Sequence, residues 1–235
     1  MPPDLIAEYG REVERIFGED LVSLTVYGSH AGGTPSPGAE VFLLLVVRVL
    51  RPEALERFRA MAHRYARRGI PPPPVVTEAF LRESADVFPL EYLDIAARRR
   101  VVAGRDVIAG IAISTENLRH QVEFEIKGKL LSLRRAYLTT FGDRALSRLL
   151  TEAVAPVLSV ARGLLLLGGQ DAPTGKEEIL AALEARFGVA LPALGQALAA
   201  RRSGRFASLP GEKLIHPFLE EVERLCSIAD RGGAS

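Results

Sequence analysis

The sequence predicts an α+β fold: a small sheet-bearing domain over residues 1–113, then an all-helical domain over residues 114–235. Three observations carry this. Two apolar runs of strand type, Leu21 to Tyr27 and Glu40 to Val47, flank a loop rich in Gly, Pro and Ser. Apolar residues at helical spacing surround that unit. Beyond residue 113 the helical period takes over and no convincing strand appears.

The elements follow in order. Leu5, Ile6, Tyr9, Val13, Ile16 and Phe17 fall on one side of a helix over residues 4–17, and Gly18 stops it. After the strand–loop–strand unit, Pro52 and Glu53 open a second helix that Gly69 ends. Leu55, Phe58, Ala62 and Tyr65 point inward on it, and Arg57, Arg64, Arg67 and Arg68 outward. Pro71 to Pro74 make a stiff extended connector into Val75–Thr77, and a short helix runs from Glu78 to Ser84. Leu90 to Ile95 reads as a third strand. Ser114 caps a long helix to Phe141, carried by Leu118, Val122, Ile126, Leu130, Leu133 and Tyr137. A second long helix covers Asp143 to Leu167 and stops at Gly168-Gly169. Thr174 to Glu177 has the form of a capping box, opening a helix that ends at Phe187-Gly188. Shorter helices are expected over Pro192–Arg201 and Pro217–Ala229.

Thirty basic residues against 29 acidic ones leave no global field to draw the chain to nucleic acid or a membrane. The single cysteine, Cys226, excludes an internal disulfide framework and a Cys-rich metal cluster. MPPDLIAEYG shows no export pattern, and no apolar run approaches the length a bilayer needs. A cytoplasmic location is the expectation. The four histidines lack metal-ligand spacing. Asp171 to Lys176 ends in Gly-Lys, yet no strand precedes it and Glu177 takes the Ser/Thr position, so a helix start is preferred to a phosphate loop. Arg98 to Arg100, and Arg201-Arg202 with Arg205, are basic clusters that could contact phosphates, but no aromatics interleave with them, so solvated faces are preferred.

The candidate site lies in YGSHAGGTPSPGAEVFLLLVV, residues 27–47. Gly28 and Ser29 form a small-residue turn whose backbone a phosphate could approach, and Ser29 also suits a plain turn. Glu40 stands at the mouth of the second strand. Phe42, two residues on, shares its face, because strand side chains alternate.

This layout resembles the nucleotidyltransferase superfamily of the minimal and kanamycin-nucleotidyltransferase-like type. Its signature is a Gly-Ser pair followed by two acidic residues one apart on a strand. FPLEYLDI, RRRVVAG and VEFEIKGKLLSLRRAYL extend the resemblance over nearly the whole chain. It implies a small mixed sheet followed by helices, ATP or another NTP at Gly28 and Ser29, and Mg²⁺ held by acids. It also implies a general-base glutamate from the helical half. Glu40 takes the first acidic position and Phe42 the second. Glu91 or Asp94 would supply a further ligand, Glu91 fitting the family position better; three apart on a strand they face opposite sides, so only one can serve. Glu125 matches the general base, with an i,i+4 pair to Lys129 as the alternative reading.

Phe42 offers no oxygen to a metal. A unit charge pair at about 4 Å and an effective dielectric of about 20 is worth about 4 kcal/mol, roughly a thousandfold in rate. The expectation is a nucleotidyltransferase-fold protein with an eroded metal site, binding nucleotide weakly or serving a regulatory or interaction role. The alternative is a working Mg²⁺-dependent enzyme that moves a nucleotide monophosphate from ATP to a hydroxyl of a small molecule or protein. A third reading makes the α/β half a scaffold for a helical interaction protein. No motif marks the acceptor or the oligomeric state.

Overall fold

The computed structural model describes residues 3–32, 41–169 and 172–232. The chain forms two compact units, Met1–Ser114 and Thr115–Ser235.

In the first unit, helix α1 (Pro3–Phe17) leads into strand β1 (Leu21–Tyr27), a one-turn 3-10 helix (Gly28–His30) and strand β2 (Phe42–Val47). Then come α2 (Pro52–Ala66), β3 (Val75–Thr77), α3 (Glu78–Glu83), α4 (Pro89–Ala97) and β4 (Arg99–Gly104). The sheet is mixed, in the order β3-β2-β1-β4. β1 runs antiparallel to both neighbours, whereas β3 joins β2 in parallel after the α2 crossover.

Both sheet faces are covered, and the two-residue period of β2 shows how. Leu43, Leu45 and Val47 enter a core with Tyr9, Val13, Phe17, Phe58 and Tyr65 from α1 and α2. Leu44 and Val46 enter the opposite core with Leu81, Tyr92, Ile95 and Ile108. A register shift between Leu21 and Ser23 lets Val22 join the second core while Leu24 and Val26 join the first. Gly10 brings α1 onto β4: a Cβ there would stand 2.7 Å from Val102 Cγ1.

Two expectations for this unit are corrected. Leu90 to Ile95 is helical, within α4, and the fourth strand begins at Arg99. Pro89 occupies the first turn of α4, a position that favours helix, and Leu90, Tyr92 and Ile95 are its buried positions. On α2, Leu55 is exposed; Ala54 and Met61 join Phe58, Ala62 and Tyr65 as its buried positions.

The second unit is helical among its described residues: α5 (Thr115–Thr139), α6 (Asp143–Leu167), α7 (Lys176–Phe187), α8 (Pro192–Ser203) and α9 (Gly211–Asp230). The central helix, α6, packs against each of the other four. By length and composition α6 could cross a bilayer, but 61% of its most apolar window is buried inside the fold. Buried Arg162 on α6 donates to the carbonyls of Pro173 (2.7 Å) and Ala172 (3.0 Å), fastening the segment before α7. The capping box expected at Thr174 is not formed: Gly175 is the N-cap residue, without a side-chain cap bond. α9 starts six residues before Pro217 and carries that proline inside it. Its first residue is Gly211, where a Cβ would collide with the backbone of Asp143 and Ser147. The expected stop at Gly188 is present, with φ +62°.

Candidate functional site at the Gly28 turn

β1 ends at Tyr27, and the chain turns at Gly28 with φ +72°, a conformation that favours glycine. The Gly28 amide donates to the Arg98 carbonyl at 2.9 Å, and the Gly28 carbonyl accepts from the Ala31 amide at 3.1 Å. The turn is therefore anchored to the residue preceding β4. Ser29 is half-buried and His30 buried, the His30 Nδ1 having no hydrogen-bond partner.

Phe42 faces Tyr27 across the β1–β2 pair, and their rings stack with centroids 5.6 Å apart at 27°. A Cβ built on Gly28 would lie 3.6 Å from Phe42 Cδ2, so the aromatic ring flanks the turn. Phe42 is 44% exposed; the ring is not turned into the interior.

α4 packs against the same turn. Burial, with a smaller contribution from the Glu91 carboxylate, pushes the Tyr27 hydroxyl to a higher pKa. Gly28, Ser29, Tyr27, Phe42 and the Glu91-bearing helix thus meet at one end of β1. Because Glu91 and Asp94 lie three apart on a helix, not on a strand, they share one exposed side of α4. This corrects the expectation that they oppose one another.

The other site candidates are placed as follows. Glu40 lies outside the described residues. Glu125 sits half-buried on α5 in the helical unit, where Oε1 accepts from Gln121 Nε2 at 2.9 Å. On the same helix, Lys127 forms an ion pair with Glu123 at 2.7 Å. Arg98, in a cluster expected to be a solvated face, lies beside the turn. A Cβ on Gly32 would be 3.9 Å from its Cδ, which lays the Arg98 chain along the turn. Arg99 is occupied, pairing with Asp106 at 2.9 Å. The hint in the sequence was the run of three arginines; only the pairing of β4 with β1 shows which one meets the turn.

A Mg²⁺ site requires several oxygen ligands around one point. Among the described residues no group of three His, Cys, Asp or Glu side chains is placed to hold a metal. At the position that the resemblance gives to a second carboxylate, the strand carries Phe42, paired with Tyr27.

No protein-family model matches the chain, and no curated protein matches it. Among solved structures, the chain is similar to a spectinomycin adenyltransferase from Enterococcus faecialis, crystallised with ATP and spectinomycin. The superposition covers 97% of this chain and 98% of that one, with a TM-score of 0.59 and 12% identity. The fold is nucleotidyltransferase-like. Such a fold places a strand–turn–strand unit in a mixed sheet ahead of helices, and β1, the Gly28 turn and β2 form that unit here.

Proposed function

We propose that this protein is a nucleotidyltransferase-fold chain with an eroded metal site, one that binds a nucleotide weakly at the Gly28–Ser29 turn in a regulatory or interaction role. The observation that carries the reading is Phe42, stacked on Tyr27 beside Gly28 in the position where the resemblance calls for a carboxylate. An aromatic ring there supplies an apolar wall and no ligand, so the turn keeps its shape while metal-assisted chemistry loses a charge. Arg98 along the turn favours an anion. ATP, with which the similar adenyltransferase was crystallised, is the nucleotide to try first.

A second reading keeps the enzyme active, moving a nucleotide monophosphate to a hydroxyl with Glu40 and Glu91 as the acids and Glu125 as the base. It is favoured by the packing of α4, which carries Glu91, on the turn. Incubation with labelled ATP, Mg²⁺ or Mn²⁺ and hydroxyl acceptors decides between them. Transfer that exceeds a Glu40→Ala control rejects the eroded site. A component of the heat on titration with ATP that is lost in Ser29→Trp supports nucleotide binding at the turn, and a titration that Ser29→Trp leaves unchanged rejects that binding.

A further inference from the structure

The helical unit carries a basic groove that the Gly28 turn does not explain. Its space, about 1050 Å³, is lined by Arg144, Arg148, Glu152, Arg201, Arg205 and Phe206, with Gly204 and Ser208 at its edge. Arg144 and Arg148 stand one turn apart on the first turns of α6, and Arg201 and Arg205 come from the end of α8 and just beyond it. Arg148 pairs with Glu152 at 2.7 Å. Arg201 donates to the Thr151 carbonyl at 2.9 Å and so crosses onto α6. Arg144, Arg201 and Arg205 have no carboxylate partner among the described residues.

Four guanidinium groups thus face one carboxylate, and that carboxylate is already paired. Like charges held around one groove repel each other, and an anion between them removes the repulsion. Arg144 makes the point sharply, since the first turn of a helix disfavours a cation. Guanidinium forks match phosphate oxygens in pairs. Phe206, 45% exposed at the groove, adds a flat apolar face of the kind on which a nucleobase stacks. The turn Phe206–Ser208 is fixed by Ser208 Oγ on the Arg205 carbonyl (2.8 Å), so ring and cation are presented together.

We propose that this groove binds a nucleoside polyphosphate, the arginines gripping the phosphates and Phe206 the base. The volume suits one small ligand. The proposal does not rest on nucleotide binding at Gly28.

The test is calorimetric titration of the full chain and of its Ser29→Trp variant with ATP, inorganic tripolyphosphate and a single-stranded oligonucleotide. ATP binding is expected to survive Ser29→Trp and, in that background, to weaken at least about tenfold in Arg144→Gln/Arg205→Gln, whose two side chains are exposed and form no ion pair among the described residues. Phe206→Leu should weaken ATP but leave tripolyphosphate unchanged. Tripolyphosphate should displace ATP from the unsubstituted chain, which tests the grip without any substitution. ATP binding to the Ser29→Trp chain that the added double substitution leaves intact overturns the proposal, as does absence of ATP binding to the unsubstituted chain. Tighter binding of the oligonucleotide than of ATP overturns it in favour of a nucleic-acid surface.

Discussion

Phe42 lies flat against Tyr27, ring centroids 5.6 Å apart, at the point where β1 gives way to the Gly28 turn. The pair closes this end of the sheet with carbon, at the position that the resemblance gives to a carboxylate. Replacing Phe42 by Asp should therefore create a dependence of ATP affinity on Mg²⁺, at least about tenfold. Loss of the ring stack should cost about 1 kcal/mol of stability. Calorimetry with and without Mg²⁺ reads the first effect and urea unfolding the second. A Phe42→Asp variant whose ATP affinity ignores Mg²⁺ would clear Phe42 of responsibility.

A pH-dependent clamp joins α1 to α2. The Tyr65 hydroxyl lies 2.9 Å from Glu8 and 2.8 Å from Glu12, its one proton shared between the two carboxylates, while Arg68 pairs with Glu8 at 2.7 Å. These bonds, Arg68 first and Tyr65 second, hold the Glu8 carboxyl at about 2, below its ordinary 4.5. A depressed carboxyl pKa means that the folded state favours the ionised form. The contribution is therefore complete above pH 4.5 and is lost as pH falls toward 2. The Glu8 side chain is 41% exposed, so salt should shrink the effect. Acid unfolding followed by circular dichroism should show Glu8→Gln losing less stability than the unsubstituted chain between pH 4.5 and 2.

Glu221 performs a cap for a helix not its own. From α9 its two oxygens accept the amides of Ala193 and Leu194, at 2.8 Å each, at the start of α8. The side chain is 1% exposed, so water cannot replace it. Glu221→Ala strands two buried donors and should cost about 2–5 kcal/mol; Glu221→Gln, with one acceptor oxygen left, should cost less. Urea unfolding of the three proteins gives the order directly.

Such remote caps explain where the sequence was legible and where it was not. β1 was readable to the residue, because Leu21 to Tyr27 is an apolar β-type run closed by a glycine that the turn needs. The start of α8 at Pro192 was legible from that proline, although Glu221 caps it from afar. The start of α9 was harder: the Glu212 amide bonds Asp143 Oδ1 at 3.0 Å, no sequence neighbour, so Pro217 looked like a helix start. Leu90 to Ile95 fits a strand and a helix about equally by apolar spacing, and packing on the second core settled it as helix. β4, written Arg-Arg-Val-Val-Ala-Gly, hid behind its charges, which an edge strand carries readily. At the site, Gly28, Ser29 and Phe42 were legible from a short motif, whereas Arg98 became visible only once β4 was paired with β1.

Gly28 tests whether the turn is held by backbone conformation or by crowding from Phe42. Its φ of +72° is costly for any residue with a Cβ, by about 1–2 kcal/mol. The nearest neighbour of that Cβ, Phe42 Cδ2 at 3.6 Å, is at ordinary contact distance and adds no clash. Gly28→Ala should therefore destabilise the chain by about 1–2 kcal/mol whether or not the ring is present. A double-mutant cycle with Phe42→Ala should give a coupling energy below about 0.5 kcal/mol. Urea unfolding of the four proteins measures it. A coupling well above that value would mean that the ring presses on the turn, and Phe42 would then be shaping Gly28 as well as stacking on Tyr27.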